Sequence, residues 1–275
     1  MIYSKHQQVT LNTFLVYYKL GEKNKIKNDL QKMKLKGNIE RFEKSVTSNY
    51  NNLEKNNILK EIFIFNKDGN ILEEHYNNNE ILFKLNEYDL SGNITYSQNF
   101  KEENEILYEE FYFLNKQNRV SKKERIKLGE KKITEWFEYD YRGYLISIDK
   151  LDYDVDDYFT QTFDYDFNGI LKKHYFFDGK TLGRFIKNNY TKSGGNTIKE
   201  STLYLSDDKI FSKTIEILNN YGDVILKKLD ACFSPNILET TYVYTYDDNS
   251  NWTSRKKFLS GNLSETINMY FQYYK

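Results

Sequence analysis

The phrase Tyr-Asp-x-x-Gly-Asn, or a near copy of it, returns along this chain at an almost fixed spacing. That recurrence limits the available folds more than any other feature. Aligned on the small residue that closes each copy, it falls at Gly69, Gly92, Asn118, Gly143, Gly169, Gly195, Gly222 and Ser250, at intervals of 23, 26, 25, 26, 26, 27 and 28 residues. A period of this length held over eight copies marks a repeat architecture. Four residues before the anchor stand Phe65, Tyr88, Leu114, Tyr139, Tyr165, Leu218 and Tyr246. Three before it stand Asn66, Asp89, Asn115, Asp140, Asp166, Asn219 and Asp247, and the sixth copy reaches Tyr190 only with one inserted residue. Two after it come Ile71, Ile94, Val120, Leu145, Leu171, Thr197, Val224 and Trp252.

Each position has a job in a β-hairpin. The carboxylates or amides, Asp89, Asp140, Asp166 and Asp247 among them, open a turn by accepting hydrogen bonds from backbone N–H groups just ahead. Gly92, Gly143, Gly169, Gly195 and Gly222 supply the positive φ that a type I turn with a bulge requires. Asn118 tolerates that conformation; Ser250 tolerates it less, and strain or a changed turn is expected there. A second, less regular turn separates successive phrases: "YNNNE" at 76–80, "KLGEK" at 127–131, "FDGKT" at 177–181, "SDDK" at 206–209, "FSPN" at 233–236 and "SGN" at 260–262. Strands of about nine residues fill the remainder of each unit. Tyr242, Tyr244 and Tyr246 then share one strand face, and Thr241, Val243 and Thr245 the other. Phe159, Phe163 and Tyr165 also alternate, whereas Leu82 to Tyr88 alternate poorly. The expectation is a mainly β chain: a long antiparallel meander of about eight hairpin repeats, coiled by strand twist into a curved or spiral open sheet.

The opening of the chain breaks the pattern. Leu11, Phe14, Leu15 and Tyr18, then Ile26, Leu30 and Met33, lie at helical spacing. Residues 1–34 are therefore read as a short helical cap on the first edge strand, and 35–275 as the repeat domain. At the other end "NMYFQYYK", 268–275, is flat, aromatic and lightly charged. As a free edge it invites an edge-to-edge dimer.

Composition narrows the class. Aromatic residues make up 17% of the 275, enough to oppose disorder, and hydrophobic residues only 39%, too few for a thick aliphatic core. Forty basic and forty acidic residues cancel, which argues against nucleic acid as a partner. One cysteine, Cys232, allows no internal disulfide. The first 25 residues show no secretory leader pattern, and no stretch approaches the ~18 apolar residues of a membrane helix. A cytoplasmic protein is expected, exported only if a leader has been removed.

The phrase resembles the YD-repeat, or RHS-like, family of bacterial proteins. Tyr88-Asp89 with Gly92-Asn93 matches it fully; Tyr139-Asp140-Gly143 and Tyr165-Asp166-Gly169 lack only the final Asn, and Tyr246-Asp247 with Asn251 lacks the Gly. The segments opening at Met33 and at Tyr246 look like the first and last segments of short members common in Bacteroidota. The resemblance covers about residues 34–275 and implies a repeat type rather than an activity. Large RHS proteins form a β-cocoon around a toxin domain. Eight units are expected to be too few for such a shell, and no toxin domain follows. Some short hairpin-repeat proteins of this look sit beside toxins as immunity partners.

Sharper chemical readings are weak. His75 and His174 occupy equivalent repeat positions, without a nearby Cys or second His to build a zinc site. Asp152, Asp154 and Asp156 are spaced like the start of a calcium loop, but Asp157 stands where Gly belongs and Phe163 where Glu belongs. No phosphate-binding glycine loop is found. No catalytic, metal or cofactor residue is assigned. Trp136, Trp252, Tyr242 and Tyr244 are the candidate binding surface, with cross-strand ladders as the plainer reading of the tyrosines. The expected function is a non-catalytic scaffold that binds another macromolecule, in its narrower form an immunity-type protein masking a toxin. The alternative is a glycan-binding envelope protein; an enzyme is the least favoured class.

Overall fold

In a computed structural model the described residues are 28–48, 58–76, 81–101, 105–232, 234 and 236–274. One helical turn, α1 (Asp29–Lys32), precedes eighteen strands: β1 (Ile39–Ser48), β2 (Ile58–Phe65), β3 (Ile71–Tyr76), β4 (Ile81–Tyr88), β5 (Ile94–Phe100), β6 (Ile106–Leu114), β7 (Val120–Lys127), β8 (Glu130–Tyr139), β9 (Leu145–Asp152), β10 (Asp157–Tyr165), β11 (Leu171–Asp178), β12 (Thr181–Ser193), β13 (Asn196–Leu205), β14 (Ile210–Leu218), β15 (Val224–Ala231), β16 (Leu238–Tyr246), β17 (Trp252–Leu259) and β18 (Asn262–Tyr273). The helical readings at Leu11 to Ile26 and the turn proline Pro235 lie outside the described residues.

All eight anchors sit in turns at one rim, between an even-numbered strand and the next odd one. In six of them the Asx residue does what its chemistry dictates. Asp89 Oδ1 accepts from the N–H of Ser91 (2.9 Å) and of Asn93 (2.8 Å), and the Asp89 N–H returns to the Asn93 carbonyl at 2.9 Å. Asn66, Asn115, Asp140, Asp166 and Asn219 repeat the cradle. Asp247 does too, although its anchor is Ser250: φ is strained at 63°, yet the turn is unchanged, with Ser250 N–H on the Asp247 carbonyl at 2.9 Å. The exception is the sixth copy. There Gly194 and Gly195, at φ 56° and 82°, form a two-residue turn that pairs Ser193 directly with Asn196.

The meander does not stay open. β1 pairs antiparallel with β2 on one side and with β18 on the other, and β9 pairs with β10. The eighteen strands therefore form one closed antiparallel barrel. This corrects four expectations. The sheet is not an open spiral; the units are enough to close a shell; "NMYFQYYK" is no free edge; and α1 caps no edge strand. With both sides of β18 paired, the basis for an edge-to-edge dimer is gone.

The closure is a ninth copy of the phrase, split between the two ends of the chain. Tyr273 pairs with Ile39 as Phe65 pairs with Ile71 and Tyr88 with Ile94. The Tyr274 N–H donates to the Asn38 carbonyl at 2.8 Å, matching Asn66 on Asn70 at 2.9 Å. Gly37 has φ 87°, against 80° at Gly69 and Gly92. Gly37-Asn38-Ile39 thus supplies the second half of a hairpin whose first half is Tyr273-Tyr274.

Directly paired residues share a face, so each face can be followed around the ring. The Phe42 face is the concave, more buried one. Glu110, Glu135, Ile148, Phe163, Asn188 and Thr240 lie on it, each under a tenth exposed, while Trp136, Val243 and Tyr270 on the other face are 36%, 56% and 65% exposed. The inner face carries two separate apolar clusters. One joins Leu30, Leu35, Ile39, Phe42 and Phe65 at the seam; the other joins Leu145, Ile148 and Phe163 across the ring.

At the anchor rim α1 leads a strap over the seam half of the mouth. Asn28 caps it, accepting from Gln31 N–H at 2.9 Å while the Gln31 side chain reaches back to Asn28 N–H. Asp29 accepts from Ile71 N–H (2.9 Å) and the Tyr88 hydroxyl (2.8 Å). Lys34 reaches the Gly222 carbonyl at 3.1 Å, and Lys36 exchanges two hydrogen bonds with the Asn251 side chain at 2.7 and 2.8 Å. The strap ties turns on both sides of the seam.

Candidate functional site

The aromatic residue of the phrase is a rivet between units. Tyr88, Tyr139 and Tyr244 each donate their hydroxyl to a carbonyl in the preceding strand, on Ile71, Val120 and Val224, at 2.8, 2.9 and 2.9 Å. Burial pushes the Tyr139 phenol up to about 12, so it remains a donor at any physiological pH. Tyr165 departs from the pattern: its buried hydroxyl has no partner among the described residues. Neighbouring turns also lean on one another. A side chain at Gly169 would collide with the Tyr144 hydroxyl of the preceding unit, so glycine is needed there for space as well as for φ 77°.

Much of the inner wall is charged. Glu110 accepts from Arg125 at 2.9 Å and stands 3.5 Å from Lys123, which pairs with Glu135 at 2.5 Å. Burial alone would raise the Glu110 carboxyl; Lys123, Arg125 and Lys84 outweigh it and hold it down at about 2. The Arg125 guanidinium also lies over the Tyr108 ring at 4.3 Å. Lys44 with Glu61 at 2.6 Å, and Lys199 with Glu216 at 3.2 Å, continue this lining on other strands. An eighteen-stranded closure is wider than its side chains can fill. Paired charges are how such a surface stays wet without net charge.

The four residues of the expected binding surface do not form one surface. Trp136 is on the outer face of β8. Tyr242, Tyr244 and Trp252 are on the inner face, where they line a cavity of about 260 Å³ with Glu216, Asp223, Val224, Lys227 and Arg255. Tyr244 meets Trp252 edge-on at 6.0 Å, and Arg255 lies 5.5 Å from the Tyr242 ring and 5.9 Å from Trp252. Arg255 also pairs with Glu265 at 2.8 Å. The tyrosines therefore act first as the cross-strand ladder and second as the wall of a small inner cavity.

The histidines do not converge. His75 is on the outer face of β3 beside Glu73 at 2.8 Å. His174 is on the inner face of β11, stacked between Phe163 (4.4 Å) and Phe176 (4.0 Å) with Gln161 at 2.9 Å. Burial, with Arg184 nearby, pulls His174 down to about 4, so it is neutral near pH 7. Asp152, Asp154 and Asp156 lie in the turn between β9 and β10; Lys132 reaches Asp154 at 3.0 Å and Lys150 stands 3.9 Å from Asp152. No cluster of metal-ligating side chains occurs among the described residues.

The charged inner wall escaped the sequence reading because charged strand positions were taken as the wet face. A signal was available in "VSKKERIK" (β7). Lys123 and Arg125 lie on one face and Lys122 and Glu124 on the other, so neither face reads as a dry core.

No protein-family model matches the chain, and no curated protein matches it. Solved structures do. A porin-like protein from Bacteroides uniformis is 11% identical with a TM-score of 0.49, over 85% of this chain and 96% of that one. A porin-like protein from Bacteroides vulgatus is 10% identical with a TM-score of 0.35, over 84% and 97%. The Photorhabdus luminescens Tc holotoxin pore is 9% identical with a TM-score of 0.29, over 75% of this chain and 14% of that one. At these values the strand pairings, not the likenesses, carry the description of the barrel.

Proposed function

We propose that this chain is a non-catalytic binding shell, a short YD-repeat protein that holds another macromolecule in the cytoplasm. The observation that carries this reading is the double polarity of a closed wall. The inner face is lined by compensated ion pairs and aromatic rows. The outer face carries its own, such as Lys60 with Glu43 at 3.0 Å, Lys122 with Glu124 at 3.1 Å and Lys228 with Glu239 at 3.0 Å. A barrel facing lipid needs an apolar outer band, and a lysine at the bilayer midplane costs about 2–4 kcal/mol. An outer wall laid out this way belongs in water. The narrower form of the reading is an immunity-type protein whose partner is a toxin.

The test is capture of the tagged chain from its native host's lysate, with bound proteins identified by mass spectrometry. One stoichiometric partner is expected, and a nuclease or other toxin would give the narrower form. A bait that returns clean contradicts the reading.

A further inference from the structure

We propose that the outer face of β11–β14 docks an acidic segment of a partner protein, one that presents carboxylates on either side of an apolar side chain. The proposal rests on the binding-shell reading and narrows it to one face and one chemistry. In direct register across these four strands, one outer row runs Lys173, Lys187, Thr202, Lys213. Lys173 thus faces Lys187, a like-charge pair that destabilises a sheet when nothing offsets it. No ion pair involves Lys173, Lys187 or Lys213 among the described residues. Elsewhere on the same face Lys60, Lys122 and Lys228 each hold a carboxylate of their own chain.

The neighbouring row supplies the apolar half of the surface. Tyr175, Phe185 and Tyr204 stand side by side, with ring centroids 5.6 and 4.8 Å apart and the second pair only 6° from parallel. The Lys187 ammonium sits 4.7 Å from the Tyr204 ring and 5.4 Å from Phe185, and Lys173 lies 5.8 Å from Tyr175. The rings hold the cations in place without neutralising them. Aromatic residues beside fixed charges are the usual anchors of protein interfaces. The lysine row is short, and it ends on Asp164 opposite Lys173 and Asp230 opposite Lys213. A long polyanion such as nucleic acid would be repelled at both ends. A compact acidic segment fits between them.

The test uses the full chain with fluorescein-labelled acetyl-Asp-Glu-Leu-Glu-Asp-amide, followed by fluorescence anisotropy. Wild type should bind in a salt-dependent manner. Lys187→Glu should weaken binding about tenfold. Lys256→Glu, a charge reversal on the outer face of β17, should leave binding unchanged. Lys187→Glu should also raise Tm, because Lys173 gains an opposite charge, which separates lost binding from lost fold. Failure of wild type to bind the peptide, equal binding by Lys187→Glu, or binding of oligo(dT) in place of the peptide each overturns the proposal. The same chains as bait in host lysate separate two failures. A partner held equally by wild type and Lys187→Glu removes this surface and leaves the binding shell standing; no partner on any chain contradicts the shell itself.

Discussion

At the seam, β18 meets β1 with no turn to join them; on the opposite wall, β8 to β11 are joined by their own turns. The same phrase builds both regions, yet they are held differently. The seam gathers five buried residues, among them Phe42 stacked 4.6 Å from Phe63 and 5.9 Å from both Phe65 and Phe271. It also recruits α1 and the strap. The opposite wall makes do with Leu145, Ile148 and Phe163. Chain entropy explains the difference. A hairpin closes a loop of roughly four residues, whereas the seam closes one of roughly 230, and the logarithmic law makes that about 3–4 kcal/mol costlier. Apolar burial and strap contacts offset what the missing turn would have given locally.

The comparison can be broken most forcefully at Phe42. Phe42→Ala should lower unfolding free energy by ~3–5 kcal/mol and strip hydrogen-exchange protection from β1 and β18 first. Phe163→Ala should cost a similar amount and leave the seam amides protected below global unfolding. If Phe163→Ala exposes β18 as readily as Phe42→Ala does, the two regions are not separate in the way described.

Acid should strike the opposite wall. The unfolded chain takes up a proton at His174 near 6.5, but the folded barrel does so only near 4. Stability should therefore fall as pH drops through that window and be flat above it from this group. Glu110, held down at about 2 against an ordinary 4.5, contributes stability that is lost at still lower pH. Urea midpoints of wild type and His174→Gln, measured against pH, check the first window: the slope should vanish in the variant.

Smaller effects sharpen the picture of the turns. Gly169→Ala meets both a positive φ and the Tyr144 side chain, and should cost ~1–3 kcal/mol. Gly129→Ala, at φ 79° with nothing within 4 Å, should cost only about 1 kcal/mol. Smallest are the rivets. Tyr139→Phe loses one hydrogen bond to a carbonyl, ~0.5–1.5 kcal/mol. Tyr273→Phe should cost more, because at the seam its hydroxyl donates to the Asp247 carboxylate at 2.7 Å and accepts from Asn251 at 3.1 Å. Equal losses would mean that the split unit is held no more tightly than a connected one.

The eight anchored turns were legible because each demands a residue that little else can replace: an acceptor at Asp89 or Asp140, a positive φ at Gly92 or Gly143. The poor alternation of Leu82 to Tyr88 has a cause the sequence hides, a register shift opposite Glu74 and His75. The outward position of Trp136 followed from simple alternation with Phe137 and Tyr139. Closure did not follow, because its two halves, Gly37-Asn38-Ile39 and Tyr273-Tyr274, lie at opposite ends of the chain and neither alone completes the phrase. The inner cavity at Trp252 and the lysine row of β11–β13 were likewise hidden, since both depend on register between strands.

Closure is tested most directly across the seam itself. Ser45 and Asn268 are direct partners there, close enough as antiparallel neighbours for a disulfide to join them. In a Cys232→Ser background, Ser45→Cys with Asn268→Cys should oxidise within a single chain, giving a crosslinked monomer of faster gel mobility and higher Tm. Free thiols that never pair, or disulfides that form only between chains, would mean that the sheet is open and the ninth unit is not made.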